Sequence, residues 1–531
     1  MKLGGYGKLY LAIYGLLALL IVLPLLGNGY ILTLDMVFGP EIKLMDYGDY
    51  SSSYPFFIVL KFLSLFLPTA AIQKIILFLT LFLSGVFMHK LVKTESEIPR
   101  YFAGMLYMIN PFVYTRFLAG HYLLLLAYAL MPLAIGFIID FFKSPSAKNS
   151  VKASILIAVT GLLYLHMLVV MLFLFIAFLV YYLVRSRKKH KAARQIIKSS
   201  AFVIVLVLLV NSFWIANLFF KPGIIRQIGP ADLEIFSTKP ALYLNVLTNT
   251  AMMYGFWRGG YILPKEIVPW YIYYPLFFAV LFFAVHGYRI LKEEHKKPLL
   301  FICIASLILA TGITHNIFSK LYILLFNNLF FFRGFREPQK LVALVVLAYC
   351  YFGAYGIGDI MKKAKLKVLF LAFLIIPFAY TPTMFGSFWH QLQPADYPAD
   401  WYETNDFLNN DSSDFSVLFL PWHMYMDFSF NPKQRITNPA KVFFDKPVIS
   451  GDNIEAGRIF SQSTSQVSRH VEYTLANNEN ITDMGRRFRQ INVKYIILSK
   501  DADYQRYYFL FNQTDLELVS NTTSLYLFKI K

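Results

Sequence analysis

The chain has few of the residues that build soluble enzyme sites or disulfide-stabilised domains. Its only two cysteines, Cys303 and Cys350, both lie inside apolar runs, so neither a disulfide framework nor a cysteine metal site is predicted. Charged residues make up just 15% of the chain. The sequence has no phosphate-binding loop, no Gly-x-Gly-x-x-Gly, no His-Glu-x-x-His and no Cys-x-x-Cys. These absences argue against a soluble nucleotide-dependent or zinc-dependent enzyme.

Long apolar runs are what the sequence has instead. Apolar residues make up 57% of the chain and aromatic residues 18%, well above the usual share for a soluble domain. A helix of roughly 20 such residues crosses the ~30 Å core of a bilayer. We predict a polytopic α-helical membrane protein with about eleven transmembrane helices, near residues 9–27, 69–89, 101–117, 121–140, 153–167, 168–184, 200–220, 267–288, 298–313, 341–360 and 367–385.

The formal charge of +19 is not a nucleic-acid signal, because it lies in the membrane part. Residues 385–531 hold 14 Lys and Arg against 17 Asp and Glu, a balance of −3. Lys and Arg concentrate in short connectors such as "RSRKKHKAAR" (185–194) and "MKKAKLK" (361–367), as they do in cytoplasmic loops. We therefore expect a multi-pass plasma-membrane protein with a cytoplasmic N-terminus, an uncleaved first helix and no nucleic-acid partner. Binding of anionic lipid by a polybasic connector is a second interpretation.

The composition changes after residue 385, which predicts two domains, 1–385 in the membrane and 386–531 outside it. Short β-rich runs at 415–421 and 493–499 alternate with helical stretches such as 399–410, and 516–530 is typical of a hairpin. We expect this second domain to be a small extracytoplasmic α/β domain. It contains four Asn-x-Ser/Thr acceptors for N-glycosylation, at Asn410, Asn480, Asn512 and Asn521.

The stretch "LMDYGDYSSSYPFF" (44–57) places acids directly behind the first predicted helix. Asp46 and Asp49 are three residues apart, so one helical turn would put both on one face. Carboxylates at a membrane edge suit a base that deprotonates a hydroxyl, or a site for a divalent cation such as Mg²⁺ or Mn²⁺. Asp46 and Asp49 could instead cap a helix that begins near Ser51.

Basic residues gather in a later outer loop, in "FRGFREPQK" (332–340). Arg333, Arg336 and Lys340 could bind a phosphate, because guanidinium groups match its oxygens. Anchoring to lipid head groups is the alternative. Two further groups of candidate substrate contacts lie on outer loops: His121 and Arg116 at a tight turn, and Arg258 in "FWRGG", where aromatic rings could stack on a sugar or simply mark the membrane interface.

Together these segments resemble the GT-C superfamily of membrane glycosyltransferases, and within it the YfhO-like proteins and their archaeal relatives. "GDYSSSYPF" (48–56) is similar to their Asp-containing first-loop motif. "YMINPFVYTRFLAGHYLLLLAYALMPL" (107–133) resembles their Asn/Ser-Pro-Phe turn, "FRGFREPQK" their Phe-Arg-x-Pro-x-Lys segment, and "INVKYIILS" (491–499) a run near the end of their outer domain. Serines at 51–53 stand where the motif has glutamines.

The resemblance implies a polyprenyl-phosphate-linked sugar donor, used with a glycan or protein acceptor on the outer face of the membrane. An Asp would deprotonate the acceptor hydroxyl, and the anomeric carbon would be inverted. Arg336 and Arg333 would stabilise the leaving phosphate. The base would be Asp49, or Asp35, which lies nearer the first helix, where GT-C enzymes often keep a catalytic acid.

Two other functions fit the same composition. A transporter or flippase of lipid-linked glycans would also bind phosphate with cations, but is expected to show inverted repeats or broken helices at the membrane midplane. A catalytically inactive relative would keep the fold and act as a surface or assembly protein. In that relative, Asp35, Asp46 and Asp49 would point away from any cavity.

Overall fold

The computed structural model describes residues 8–44, 51–220, 229–240, 245–363, 370–456, 459–461, 465–478 and 481–531. The chain forms two compact units. The first is drawn from Met1–Pro24, Tyr47–Ile58 and Ile75–His390, and the second from Leu25–Asp46, Val59–Lys74 and Gln391–Lys531. This division into units does not test the predicted domain boundary after residue 385, which stays a prediction.

The first 390 residues are mostly helical, as the apolar runs predicted. The α-helices among the described residues of this part are Leu9–Val22, Tyr54–Leu63, Thr69–Leu91, Glu97–Met108, Pro111–Leu118, Tyr122–Lys143, Ala147–Leu163, Leu165–Ser186, His190–Phe220, Pro230–Ile235, Val246–Ala251, Pro264–Ile267, Trp270–Ile290, Lys296–Ala310, Ser319–Asn328, Val342–Lys363 and Phe370–Tyr380. They are followed by a short helical turn with positive φ values, Phe385–His390. Short 3₁₀ turns at Phe330–Gly334 and Pro338–Leu341 lead into the helix Val342–Lys363.

Small residues let two of these helices pack with their backbones in close contact. A Cβ atom added to Gly287, on Trp270–Ile290, would lie 1.8 Å from the carbonyl oxygen of Phe352. One added to Gly356, on Val342–Lys363, would lie 2.1 Å from the carbonyl oxygen of Phe283. Glycine is required at both positions for this approach, which is how helices associate inside membranes.

Each predicted span falls on helical structure, but the count of about eleven spans is not confirmed. Among the described residues, six helices are long and apolar enough to cross a membrane, or seven if a pair bent by 70° near Thr381 is one span. The segment 101–117 is two helices, because Asn110 caps a new one: its side chain accepts a hydrogen bond from the backbone N–H of Val113, and Pro111 follows at the first helical position.

The second unit contains a five-stranded sheet, so the predicted α/β domain is present. The eleven strands among the described residues are β1 Tyr30–Ile31, β2 Pro394–Ala395, β3 Ser416–Leu420, β4 Tyr425–Met426, β5 Ile436–Thr437, β6 Val448–Ile449, β7 Ile454–Ala456, β8 Ile459–Ser461, β9 Val493–Ser499, β10 Leu516–Asn521 and β11 Leu525–Ile530.

The sheet has the order β10-β11-β9-β3-β6 and mixed strand directions. β3 runs parallel to β6 and β9, whereas β11 is antiparallel to β9 and forms the predicted hairpin with β10. After residue 390, the α-helices of this unit are Ala399–Asn409, Ala440–Phe443, Gln466–Ala476 and Met484–Arg489. Leu418, Ile496, Leu498 and Phe528 lie in an apolar core that Val471 and Phe488 of the helices complete.

The first predicted outer loop belongs partly to this second unit. β1 pairs with β2, and the backbone N–H of Thr437 donates a 2.7 Å hydrogen bond to the carbonyl of Leu34. The backbone groups of Thr33 and Met36 bond to each other and close a tight turn, with Asp35 exposed on it. Backbone pairing of this kind fixes the turn, because buried N–H and C=O groups need partners.

Candidate functional site

The charged segment "FREPQK" (335–340) is largely buried in the first unit. The 3₁₀ turn Pro338–Leu341 begins at a proline, whose missing N–H is no loss at a helix start. The turn buries Glu337 and Lys340, which are 8% and 3% exposed. Charges buried this deeply require partners.

The partners form an ion network around Glu337. Arg116 donates from Nη1 to Oε2 of Glu337 at 2.8 Å, and Nζ of Lys340 lies 3.2 Å from Oε1. Burial by itself raises the pKa of the Glu337 carboxyl, but the charges of Lys340 and Arg116 outweigh that effect and hold the pKa well below its ordinary value. The network therefore contains one carboxylate and two cations.

The excess positive charge of this network lies next to aromatic rings. Arg116 is 1% exposed, and its Cζ lies 4.5 Å from the ring centre of Phe256, a cation–π distance. Its Nη1 also lies 3.1 Å from Nδ1 of His121. Nη2 of Arg116 has no hydrogen-bond partner among the described residues. The sequence grouped Arg116 with His121, and the structure brings them together with Glu337 and Lys340.

The two other predicted phosphate ligands take separate partners. Arg336 lies 3.4 Å from Oδ1 of Asp232, with its guanidinium 4.3 Å from the ring centre of Phe236. Nη2 of Arg333 lies 3.4 Å from the backbone carbonyl of Asn327. Arg333, Arg336 and Lys340 thus contact three different groups, and their joint binding of a phosphate stays a prediction.

A cavity of about 540 Å³ in the first unit combines cations with aromatic rings. Its basic side chains are those of Lys239, Arg258 and Lys265. Lys265 donates from Nζ to Oδ1 of Asn249 at 2.8 Å and lies 4.5 Å from the ring centre of Tyr254. Arg258 lies 5.6 Å from the ring centre of Tyr261. The other lining residues are Thr115, Pro240, Gly255, Phe256, Gly259, Leu263, Glu266, Trp270, Tyr273 and Tyr274.

The electrostatics of this cavity favour an anion. Burial lowers the pKa of the Lys265 ammonium to about 8, so the group is still protonated at neutral pH. Nη1 of Arg258 is buried without a hydrogen-bond partner among the described residues. Phe256 lines the cavity and also contacts Arg116, so the cavity and the buried ion network adjoin.

Sequence reasoning missed three of these groups: Lys239, Lys265 and Glu337. A lysine in a loop is ordinarily solvated, so the sequence around Lys239 and Lys265 does not indicate that they line a cavity. A signal for Glu337 was available: a carboxylate next to a membrane span carries a desolvation cost and so calls for a cationic partner.

The predicted acids are placed only in part. Asp46 and Asp49 lie outside the described residues. Asp35 lies in the second unit, where the hydroxyl of Tyr425 donates to its Oδ1 at 2.7 Å. A pocket shared by these acids and the arginines therefore stays a prediction.

Metal binding also stays a prediction. Within the described part of the chain, no group of three or more His, Cys, Asp or Glu side chains could hold a metal ion. Asp46 and Asp49, the proposed ligands for Mg²⁺ or Mn²⁺, are not among those residues.

Three of the predicted glycosylation acceptors are accessible. Asn410, Asn512 and Asn521 are exposed on the second unit, and the side-chain oxygen of Asn521 accepts a 2.8 Å hydrogen bond from Lys500. Asn480 lies outside the described residues. Exposure permits glycosylation, which stays a prediction.

No protein-family model matches this chain, and no curated protein sequence does. Solved structures do match its fold. Arabinofuranosyltransferase AftD from mycobacteria matches with a TM-score of 0.68 at 13% identity, over 99% of this chain and 40% of AftD. The oligosaccharyltransferase of Archaeoglobus fulgidus matches with a TM-score of 0.51 at 12% identity, over 94% of this chain and 70% of that protein.

These similarities decide the fold. This chain spans about two fifths of the length of AftD, and identities of 12–13% relate architectures rather than activities. By their names, both matched proteins are glycosyltransferases. The narrower YfhO-like grouping stays a prediction. The chain is therefore similar in fold to these two glycosyltransferases, which is the architecture that the resemblance in its motifs implied.

Proposed function

We propose that this protein is a membrane glycosyltransferase that takes its sugar from a polyprenyl-phosphate-linked donor and transfers it to a hydroxyl of a glycan or protein acceptor on the extracytoplasmic face. The observation that carries the proposal is the cavity that places Lys239, Arg258 and Lys265 among aromatic rings, in a chain with the GT-C fold. Cations suit the donor phosphate, and aromatic rings suit the apolar faces of a sugar.

In this mechanism the acceptor oxygen attacks the anomeric carbon and the bond from that carbon to the phosphate oxygen breaks. The acceptor proton passes to the carboxylate of a first-loop Asp. The phosphate leaves as an anion with both electrons of the broken bond, so no acid is needed to protonate it, in contrast to glycosidases. The configuration at the anomeric carbon is inverted.

Lys265 and Arg258 stabilise the charge that develops on the leaving phosphate, which is where preorganised cations act most strongly. Arg336 and Arg333 remain further candidates for phosphate contact. Arg116 is a positioning residue: its side chain fixes Phe256, one of the lining rings, and is itself fixed by Glu337.

The direct test is turnover by the purified full chain. We would supply a panel of polyprenyl-phosphate sugars with oligosaccharide and peptide acceptors, and measure the release of free polyprenyl phosphate together with acceptor glycosylation. Release that depends on the acceptor establishes the transferase. Transport of an intact donor across proteoliposomes without release would contradict it and favour the transporter.

Binding of the polyprenyl phosphate that the reaction releases is expected to weaken as the pH rises. Below pH 8 the Lys265 ammonium is protonated and attracts the phosphate, and above its pKa of about 8 that charge is lost. The dissociation constant of a fluorescent polyprenyl phosphate should rise about tenfold from pH 7.5 to 9.5, the cost of one charge-assisted hydrogen bond. A phosphate monoester is fully ionised throughout this range.

Two variants isolate the lysine. Lys265→Arg should keep tight binding at both pH values, because a guanidinium does not titrate in this range. Lys265→Met should bind weakly at both. A pH dependence that persists in Lys265→Arg would assign the titration to another group.

A further inference from the structure

We propose that a second cavity of the first unit, at the C-terminal ends of four helices, binds the head group of an anionic glycerophospholipid together with part of one acyl chain. The cavity has a volume of about 700 Å³ and lies where Thr69–Leu91, Tyr122–Lys143, Trp270–Ile290 and Val342–Lys363 reach their C-termini. None of its lining residues belongs to the cavity assigned to the donor.

Five lysines on four different connectors or helix ends line this one cavity. Two of them have carboxylate partners: Nζ of Lys143 lies 2.9 Å from Glu293, and Nζ of Lys362 lies 3.2 Å from Glu95. The other three form no ion pair with a described residue: Lys90, Lys93 and Lys292. Asp140 also lines the cavity, so five lysines stand against three carboxylates, and a phosphodiester anion would reduce the remaining positive charge.

The wall beyond the lysines is apolar. It is formed by Phe87 and Leu91 on one helix and by Pro132, Leu133, Gly136 and Phe137 on another. Gly136 lines this wall with room for a side chain, since a Cβ atom there would lie 3.7 Å from the nearest atom of Leu91, an ordinary contact. Lysines beside an apolar wall match a lipid, whose phosphate would contact the lysines and whose acyl chain would cover the wall. A soluble phosphate would leave the wall exposed to water.

Each lysine has an ordinary role as well. A cation in the last turn stabilises the C-terminus of its helix, and basic connectors orient a membrane protein. Neither role requires lysines from separate parts of the chain to face one cavity with an apolar wall. Basic pockets between transmembrane helices are a known way to hold anionic head groups.

A third cavity, of about 610 Å³, extends the same region. It shares Lys93, Glu95, Tyr355 and Lys362 with the second cavity and adds Asp359 and Gly358. Of the five lysines, Lys93 and Lys362 line both cavities. The head group is therefore placed at Lys93, which lines both cavities and forms no ion pair with a described residue.

Native mass spectrometry of the purified full chain tests the assignment. We would add phosphatidylglycerol or phosphatidylcholine at equal concentration and compare retention by wild type, by Lys90→Gln/Lys93→Gln/Lys292→Gln and by a control of equal charge change, Lys188→Gln/Lys189→Gln/Lys191→Gln. The control lysines are exposed and line neither cavity. Wild type should retain phosphatidylglycerol preferentially, and only the cavity variant should lose it, by about tenfold or more.

Two further arms separate a lipid from other ligands. Gly136→Leu should fill the space beside the apolar wall and weaken lipid retention without changing the charge. Soluble glycerol phosphate should not displace the lipid. Equal losses in the cavity and control variants would overturn the site in favour of general electrostatic attraction. Equal retention of phosphatidylcholine, or displacement by glycerol phosphate, would also overturn it. The binding readout does not depend on transferase activity.

Discussion

Glu337→Ala is expected to destabilise the protein by about 3–5 kcal/mol, because it leaves two buried cations without their carboxylate. Arg116 is 1% exposed and Lys340 3% exposed, so water cannot replace the lost partner. A buried ion pair adds little to the free energy of unfolding compared with apolar side chains in its place. Removing one partner is strongly destabilising, because the other charge stays buried without compensation. The variant should unfold at a markedly lower temperature in detergent or fail to accumulate.

The matched control is an ion pair in the same unit that lies in solvent. Glu294 pairs with Arg185, and the two side chains are 43% and 53% exposed. Glu294→Ala should change the free energy of unfolding by less than about 1 kcal/mol. Similar thermal shifts for the two alanine variants would contradict the role assigned to Glu337.

A triple variant separates stability from function. Arg116→Met, Glu337→Leu and Lys340→Met together remove all three charges and replace them with apolar groups of similar size. Such replacements are often neutral or stabilising. A stable triple variant that loses turnover would show that the network serves the reaction, whereas full activity would restrict it to folding.

Asp49→Asn is expected to lower turnover about 10²–10⁴-fold, the usual effect of removing a general base. Asp35→Asn is expected to retain most of the activity. Asp35 accepts a hydrogen bond from Tyr425, and its turn is bonded to the strand Ile436–Thr437, which together suit a structural role. Release of polyprenyl phosphate by the two variants and by Tyr425→Phe would be compared under the same conditions.

The outcomes identify the base. Loss of turnover in Asp35→Asn alone would move the base to Asp35 and make Tyr425 a group that orients it, so Tyr425→Phe should then be impaired too. Full activity in both Asp variants would remove the first loop from the chemistry. Thermal unfolding of each variant distinguishes a lost base from a lost fold.

Patterns that are local in the sequence predicted most of the secondary structure. The strands Ser416–Leu420 and Val493–Ser499 and the helix Ala399–Asn409 lie where β-rich and helical runs placed them. The span at 101–117 was wrong as one helix, since its hydropathy outweighed the cap at Asn110 and the proline after it. Local hydropathy reports burial in lipid, and it does not report where a helix is interrupted.

The count of about eleven spans is not confirmed, for a related reason. Apolar length predicts that a segment is buried, but a helix such as Pro111–Leu118 can be buried inside the protein without crossing the membrane. The tail hairpin was predicted correctly because turn residues and alternation act over a few positions.

The sequence by itself determined that this is a helical membrane protein with a second, α/β part, because hydrophobic length and alternation are properties of short segments. Tertiary structure alone decided that Arg116 pairs with Glu337, 221 positions away, and that lysines from separate connectors line one cavity. It also decided that the turn with Asp35 is bonded to the strand at Thr437. The physical reason is that a buried charge or an unpaired backbone group requires some partner, and only the packing of distant segments selects which one.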